Sequence, residues 1–183
     1  MLNNVRTGSS RLAGRAAVAG LLAAMVGAGF APTASGASAA SPHPQSVKAA
    51  AGGFKHLRNV FFSQCVDAPG GRHNVVLRIA DCGSSATQNW AMIPAGPANT
   101  FIFVNQQSGE CMEVNSGSST PGELVDEFTC NGSSAELWVQ EGLNLRHSGT
   151  GLCLDTVSGR GSQLAQFSCG TGVPAGTQLW IIE

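Results

Sequence analysis

Apolar residues along this chain fall into two regimes. Residues 16–31, AAVAGLLAAMVGAGFA, form an uninterrupted run of small apolar side chains. Later in the chain the apolar positions come in short bursts rich in β-branched and aromatic types: Val75-Val76-Leu77-Arg78-Ile79, Phe101-Ile102-Phe103-Val104 and Leu179-Trp180-Ile181-Ile182. Clusters such as Ala68-Pro69-Gly70-Gly71, Ser116-Gly117-Ser118-Ser119 and Ser158-Gly159-Arg160-Gly161 lie between them. Side chains that crowd near Cβ suit a pleated surface, and Gly, Pro and Ser reverse the chain. The pattern therefore predicts short strands joined by tight turns. Outside the first forty residues no segment sustains an apolar 3.6-residue period over three turns, as an amphipathic helix would require. The predicted class is all-β.

The first regime reads as an export signal. Residues 1–15 carry Arg6, Arg11 and Arg15 and no acid, and Ala37-Ser38-Ala39 supplies the small-residue pattern of a signal-peptidase site. The apolar run of sixteen residues is shorter than the roughly 20 needed to cross a bilayer. With no Arg-Arg pair present, the general secretory route is expected. Residues 1–40 are thus expected to be a signal peptide and residues 41–53, SPHPQSVKAAAGG, a linker with little order. Losing three arginines and no acid takes the formal charge from −1 to −4 over the remaining 143 residues. Nucleic acid, which wants a basic face, is not an expected partner. The mature protein is expected to be secreted, extracellular and without a membrane span.

Three repeats organise what remains. The six cysteines pair off as Cys65 and Cys82, Cys111 and Cys130, Cys153 and Cys169, each pair followed by a tryptophan, Trp90, Trp138 or Trp180. First cysteines stand 46 and 42 residues apart, and tryptophans 48 and 42 apart. Flanking positions keep step. Two after each first cysteine stand Asp67, Glu113 and Asp155; six before stand Asn59, Asn105 and His147; two before stand Ser63, Gly109 and Gly151. Gln88, Glu136 and Gln178 stand two before each tryptophan. The repeats run over about 54–98, 99–141 and 142–183. Six cysteines allow fifteen pairings in principle, but threefold repetition selects one bridge within each repeat. In an exported chain such bridges persist, which demotes a metal site, and no two cysteines stand closer than sixteen positions. Three strand-rich units are too few for a propeller and suggest a closed threefold all-β body.

At these residues the chain resembles the ricin-type β-trefoil lectins and related carbohydrate-binding modules. The resemblance rests on C-x-D, a second cysteine and Q-x-W, three times over 54–183. The third element reads Gln88-Asn89-Trp90 and Gln178-Leu179-Trp180, with Glu136-Leu137-Trp138 as the departure in repeat two. It implies a β-trefoil of pseudo-threefold symmetry: twelve strands, a capped six-stranded barrel and up to three shallow sugar sites. In the family an acid two after the first cysteine and an aromatic two before the second meet the sugar, helped by an Asn just before Q-x-W. That last position here holds Thr87, Ala135 and Thr177.

Strand register leads to the same residues. If each bridge joins directly opposed residues of an antiparallel pair, Asp155 faces Phe167, Glu113 faces Phe128 and Asp67 faces Ala80. A carboxylate accepts hydrogen bonds from adjacent hydroxyls while an aromatic ring covers the apolar C–H face of a pyranose. Asp155 with Phe167 ranks first on this reading. Glu113 with Phe128 is second, with Asn131 beside Cys130 as a further contact, and Asp67 lacks a stacking surface. The same acids could instead cap turns, and Phe128 and Phe167 could face a core. Trp90, Trp138 and Trp180 are expected in the core, with Gln88, Glu136 and Gln178 as structural hydrogen-bonders.

Catalysis has no sequence support: G-x-S-x-G, H-E-x-x-H and G-x-G-x-x-G are all missing. Consecutive acids such as Asp126-Glu127 point to opposite faces of a strand and cannot flank one bond. The expectation is a secreted, non-catalytic carbohydrate binder, without cofactor or metal, whose partner is an oligo- or polysaccharide. The alternative is a trefoil serving as a protein-interaction scaffold, or a trefoil-type inhibitor, without sugar recognition.

Overall fold

The computed structural model of the chain describes residues 53–97, 99–171 and 174–183. The expected signal peptide, and the linker as far as residue 52, lie outside the described residues. Repeat one supplies β1 (Phe54–Lys55), β2 (Leu57–Asn59), β3 (Gln64–Asp67), β4 (Val75–Val76), β5 (Arg78–Asp81) and β6 (Trp90–Pro94). Repeat two supplies β7 (Thr100–Asn105), β8 (Cys111–Val114), β9 (Val125–Phe128) and β10 (Trp138–Glu141). Repeat three supplies β11 (Asn144–His147), β12 (Cys153–Thr156), β13 (Leu164–Phe167) and β14 (Trp180–Ile182). Single residues, His56 and Leu77, split β1 from β2 and β4 from β5. The fourteen segments are therefore twelve strands, four to a repeat.

The first and fourth strands of each repeat form the barrel. β1 pairs with β6, β6 with β7, β7 with β10, β10 with β11, and β14 returns to β2, every pair antiparallel. The Trp180 N–H donates to the Leu143 carbonyl at 2.8 Å and closes the ring, so the barrel keeps no free edge. The second and third strands form three hairpins, β3–β5, β8–β9 and β12–β13, which cap one end. Leu77 knits the cap together: its N–H donates to Val125 O, and its own carbonyl accepts from Leu164 N–H. That is why the strand breaks there. Its backbone groups serve two other repeats.

Each repeat position has a physical role. Trp90, Trp138 and Trp180 are fully buried, and each indole N–H donates to a carbonyl, Val66, Met112 or Leu154, in its own repeat. Asn59 accepts from the N–H groups of Phe61 and Phe62 and donates to Thr177 O; Asn105 does the same with Gln107, Ser108 and Thr87. His147 meets this need with its ring, contacting Ser134 O and Thr150 Oγ1. Ser63, Gly109 and Gly151 share a left-handed backbone, φ 54°, 74° and 74°, the conformation glycine adopts without steric penalty.

The three disulfides join the expected partners, each with Cα atoms about 5 Å apart. They do not join opposed residues. Cys65 pairs across the strands with Ala80, Cys111 with Phe128 and Cys153 with Phe167. The expected register is corrected by two residues, because each second cysteine lies past the end of its strand, where the chain bends back over the first. A shift of two preserves the face. Acid and aromatic still share a side of the hairpin, but as diagonal neighbours.

Candidate functional site

The three acid positions differ in what holds them. Asp67 faces Arg78, whose Nε donates to Oδ2 at 3.2 Å, while Thr87 Oγ1 donates to Oδ1 at 2.7 Å. Asp155 faces Ala165; its Oδ1 accepts from the Thr156 N–H at 2.7 Å and its Oδ2 from Gln178 Nε2 at 2.9 Å. Each oxygen of both aspartates accepts one hydrogen bond within the protein. Glu113 faces Asp126 and accepts no hydrogen bond among the described residues.

Repeats two and three differ in the residue two before the tryptophan. Gln178 accepts from Gly170 N–H and donates to Ser168 O and Asp155. Glu136 at the same position carries a carboxyl group in place of the amide, and both its oxygens accept, from the N–H groups of Asn131 at 2.6 Å and Gly132 at 3.1 Å. The departure from Q-x-W in repeat two thus removes the amide that holds the acid in repeat three, whereas in repeat one Gln88 donates to Asp81 O and Asp67 is held by Arg78 and Thr87.

Glu113 opens on a cleft of about 460 Å³. β8 contributes Glu113, and β9 contributes Asp126 and Phe128. The turns at Asn115–Gly117 and Asn131–Ala135 form the walls, and Asn74 of the first repeat completes them. β4 pairs with β9, Val76 opposite Asp126, and that pairing sets Asn74 beside the site. Phe128 is half-buried, with the His73 ring 4.7 Å away by centroid; His73 Nδ1 in turn lies 2.9 Å from Glu110 Oε2. Asn131 Oδ1 accepts from the Ser133 N–H, which leaves its amide NH₂ available to a ligand.

The cleft is acidic. Burial pushes the Glu113 carboxyl up to about 7, with Asp126, Glu136 and Glu110 adding like-charge repulsion. Burial also raises Asp126, partly offset by the Asn115 Nδ2 hydrogen bond to its Oδ2 at 2.7 Å. Asp126 Oδ1 is buried with no partner. Such pairing of desolvated acids destabilises the charged forms.

A family model for the ricin-type beta-trefoil lectin domain matches residues 53–180. The chain belongs to the ricin-type β-trefoil lectin family. Polypeptide N-acetylgalactosaminyltransferase 16 of Mus musculus is 35% identical over 89 residues, covering 46% of this chain but 15% of that enzyme's length. Among solved structures, a designed 3-fold symmetric protein, ThreeFoil, superposes with a TM-score of 0.64 at 19% identity, over 70% of this chain and 96% of that one. The earthworm R-type lectin C-half, solved in complex with GalNAc, gives a TM-score of 0.54 at 14% identity, over 72% and 98% of the two chains. At these identities the structural likeness is one of fold.

Within this ricin-type domain the candidate site residues fall in different surroundings. Glu113, Phe128 and Asn131 line one cleft. Asp155 and Phe167 share a face without lining the smaller cleft of about 170 Å³ that lies in their repeat, between Asn144, Gly170 and the residues Ala175, Gly176, Gln178 and Leu179. Phe167 is half-buried over the turn at Gly122. Sequence reasoning missed Asp126, Asn115 and Asn74. Asp126 was legible in one respect, since it stands two before Phe128 and so shares its face. Asn74 had no local signal, because only the packing of one repeat on the next brings it there. Among the described residues no three metal-ligating side chains cluster, and no helix is long and apolar enough to cross a membrane. The three disulfides indicate an oxidising environment.

Proposed function

We propose that this domain is a secreted, non-catalytic lectin that holds saccharide in the cleft of its second repeat. Glu113 accepts hydrogen bonds from adjacent hydroxyls, the Asn131 amide donates to a ring or hydroxyl oxygen, and Phe128 covers the C–H face of the sugar. The observation that carries this reading is the unpaired Glu113 carboxylate beside Phe128 in an open cleft, while Asp67 and Asp155 are held internally. One shallow site binds at roughly millimolar strength, about −4 kcal/mol.

Glycan-array and insoluble-polysaccharide pull-down measurements test it. Binding is expected for the wild type, reduced at least about tenfold in Glu113→Ala and Phe128→Ala, and little changed in Phe167→Ala. A wild type that binds no saccharide on a broad array ends the lectin reading. A single protein partner recovered regardless of these substitutions supports the scaffold alternative.

A further inference from the structure

We propose that the second-repeat cleft selects saccharides carrying a free ammonium group, of the 2-amino-2-deoxyhexose class, over their N-acetylated or neutral counterparts. This deepens the lectin reading and rests on it. Glu113 and Asp126 are direct cross-strand partners on one face of the β8–β9 hairpin, so their Cβ atoms stand about 5 Å apart. Both are more than nine-tenths buried, at 6% and 2% exposure, and both line the cleft. Glu113 has no hydrogen-bond partner among the described residues, and Asp126 Oδ1 is buried without one.

No lysine or arginine is among the residues lining the cleft. In repeat one the position opposite the acid carries Arg78, which neutralises Asp67, and in repeat three it carries the uncharged Ala165. Only repeat two opposes acid with acid. His73 is the nearby cationic candidate, and it is turned to Glu110. Two like charges with no counter-ion in a half-closed cleft are costly unless a proton or a cation joins them. A hydroxyl brings one donor and no charge. An ammonium brings three donors and a full positive charge, so it can sit on Glu113 with Asp126 as the second charge behind it. Phe128 lies diagonally from Glu113 on the same face, where its ring can cover the C–H face of a pyranose whose ammonium group sits on Glu113.

The test is isothermal titration at about pH 7 with β-1,4-linked glucosamine oligomers of one length, fully de-N-acetylated or fully N-acetylated. The wild type should bind the amino form at least about tenfold more tightly. Asp126→Asn should bring that ratio close to one, with far-UV circular dichroism and a thermal unfolding midpoint close to the wild type's reporting an intact fold. Glu113→Gln should lower the ratio as well. Equal or weaker binding of the amino form, with the acetylated oligomer still bound, overturns the ammonium preference and leaves the lectin reading standing. Failure to bind either oligomer or any other saccharide overturns both. An oligolysine of matched charge that binds as tightly, unaffected by Asp126→Asn, shows a generic polycation effect and overturns the proposal. So does oligosaccharide binding that requires calcium and is abolished by a chelator, since the dyad would then be a metal site.

Discussion

Single residues in the second repeat carry acid where their counterparts do not. Asp126 stands against Arg78 and Ala165, Glu136 against Gln88 and Gln178, and Glu127 against Ile79 and Gln166. Glu127 is fully buried; Ser108 Oγ donates to its Oε1, and its Oε2 has no partner. Gln166, at the equivalent place, donates to the carbonyls of Ser118 and Thr120. Burial raises the Glu127 carboxyl from 4.5 to about 7, so the folded state holds its proton more tightly than the unfolded chain does. Its contribution is therefore fully favourable below about pH 4.5, declines as pH rises, and is lost above about pH 7, a change of about 3 kcal/mol. Glu113 acts in the same sense. Glu127→Gln is expected to raise stability at pH 8 by about 1–3 kcal/mol and to flatten the profile between pH 5 and 8. Urea midpoints at the two pH values check this, and a variant no more stable than wild type at pH 8 would show that Glu127 is not the strained group.

At the level of elements, the short 3-10 turn Ser134–Glu136 governs the site through its last residue. A carboxamide at 136 could donate to Glu113 as Gln178 donates to Asp155. Glu136→Gln is expected to pull the Glu113 carboxyl down, because it removes a like charge and adds a donor to the ionised form. Saccharide affinity should fall about tenfold, the worth of one hydrogen bond no longer free for the ligand. Side-chain titration by NMR and calorimetric binding measure the two effects separately. If affinity stays unchanged while Glu113 shifts, Glu113 is not the sugar's acceptor.

For the whole molecule, the proposed reading places saccharide in one shallow cleft, so attachment is weak and strong retention depends on presenting several domains to a polymer. A streptavidin-tethered tetramer of this domain should bind an immobilised polysaccharide about 10²–10⁴ times more tightly than the monomer, with no gain towards a monosaccharide. Surface plasmon resonance on both ligands checks it. An unchanged affinity for the polymer would mean the sites cannot engage together. The three bridges each close a loop with sequence separation of 16 to 19 residues, and in the chain-entropy model each stabilises the fold by about 3 kcal/mol. They support the hairpins next to the acid positions rather than the barrel.

The sequence by itself determined the class, the threefold repeat, the disulfide partners and the tryptophan core, because each is written in local spacing. An acid two residues from a cysteine, or a Gln two before a tryptophan, keeps its place on a strand whatever else happens. Which acid is free was settled only by tertiary structure. Asp155 ranked first from spacing, yet its oxygens are held by the Thr156 N–H and by Gln178, twenty-three residues away in sequence. Glu113 ranked second and accepts no hydrogen bond among the described residues, and Glu136 replaces the amide that holds Asp155 in repeat three. The register, too, needed the fold. Spacing alone could not reveal that each second cysteine lies beyond its strand, since a bend past the last ladder pair brings two Cα atoms as close as direct opposition would. Asn74 reaches the cleft through the pairing of one repeat's β4 with the next repeat's β9, a long-range contact that no local pattern encodes.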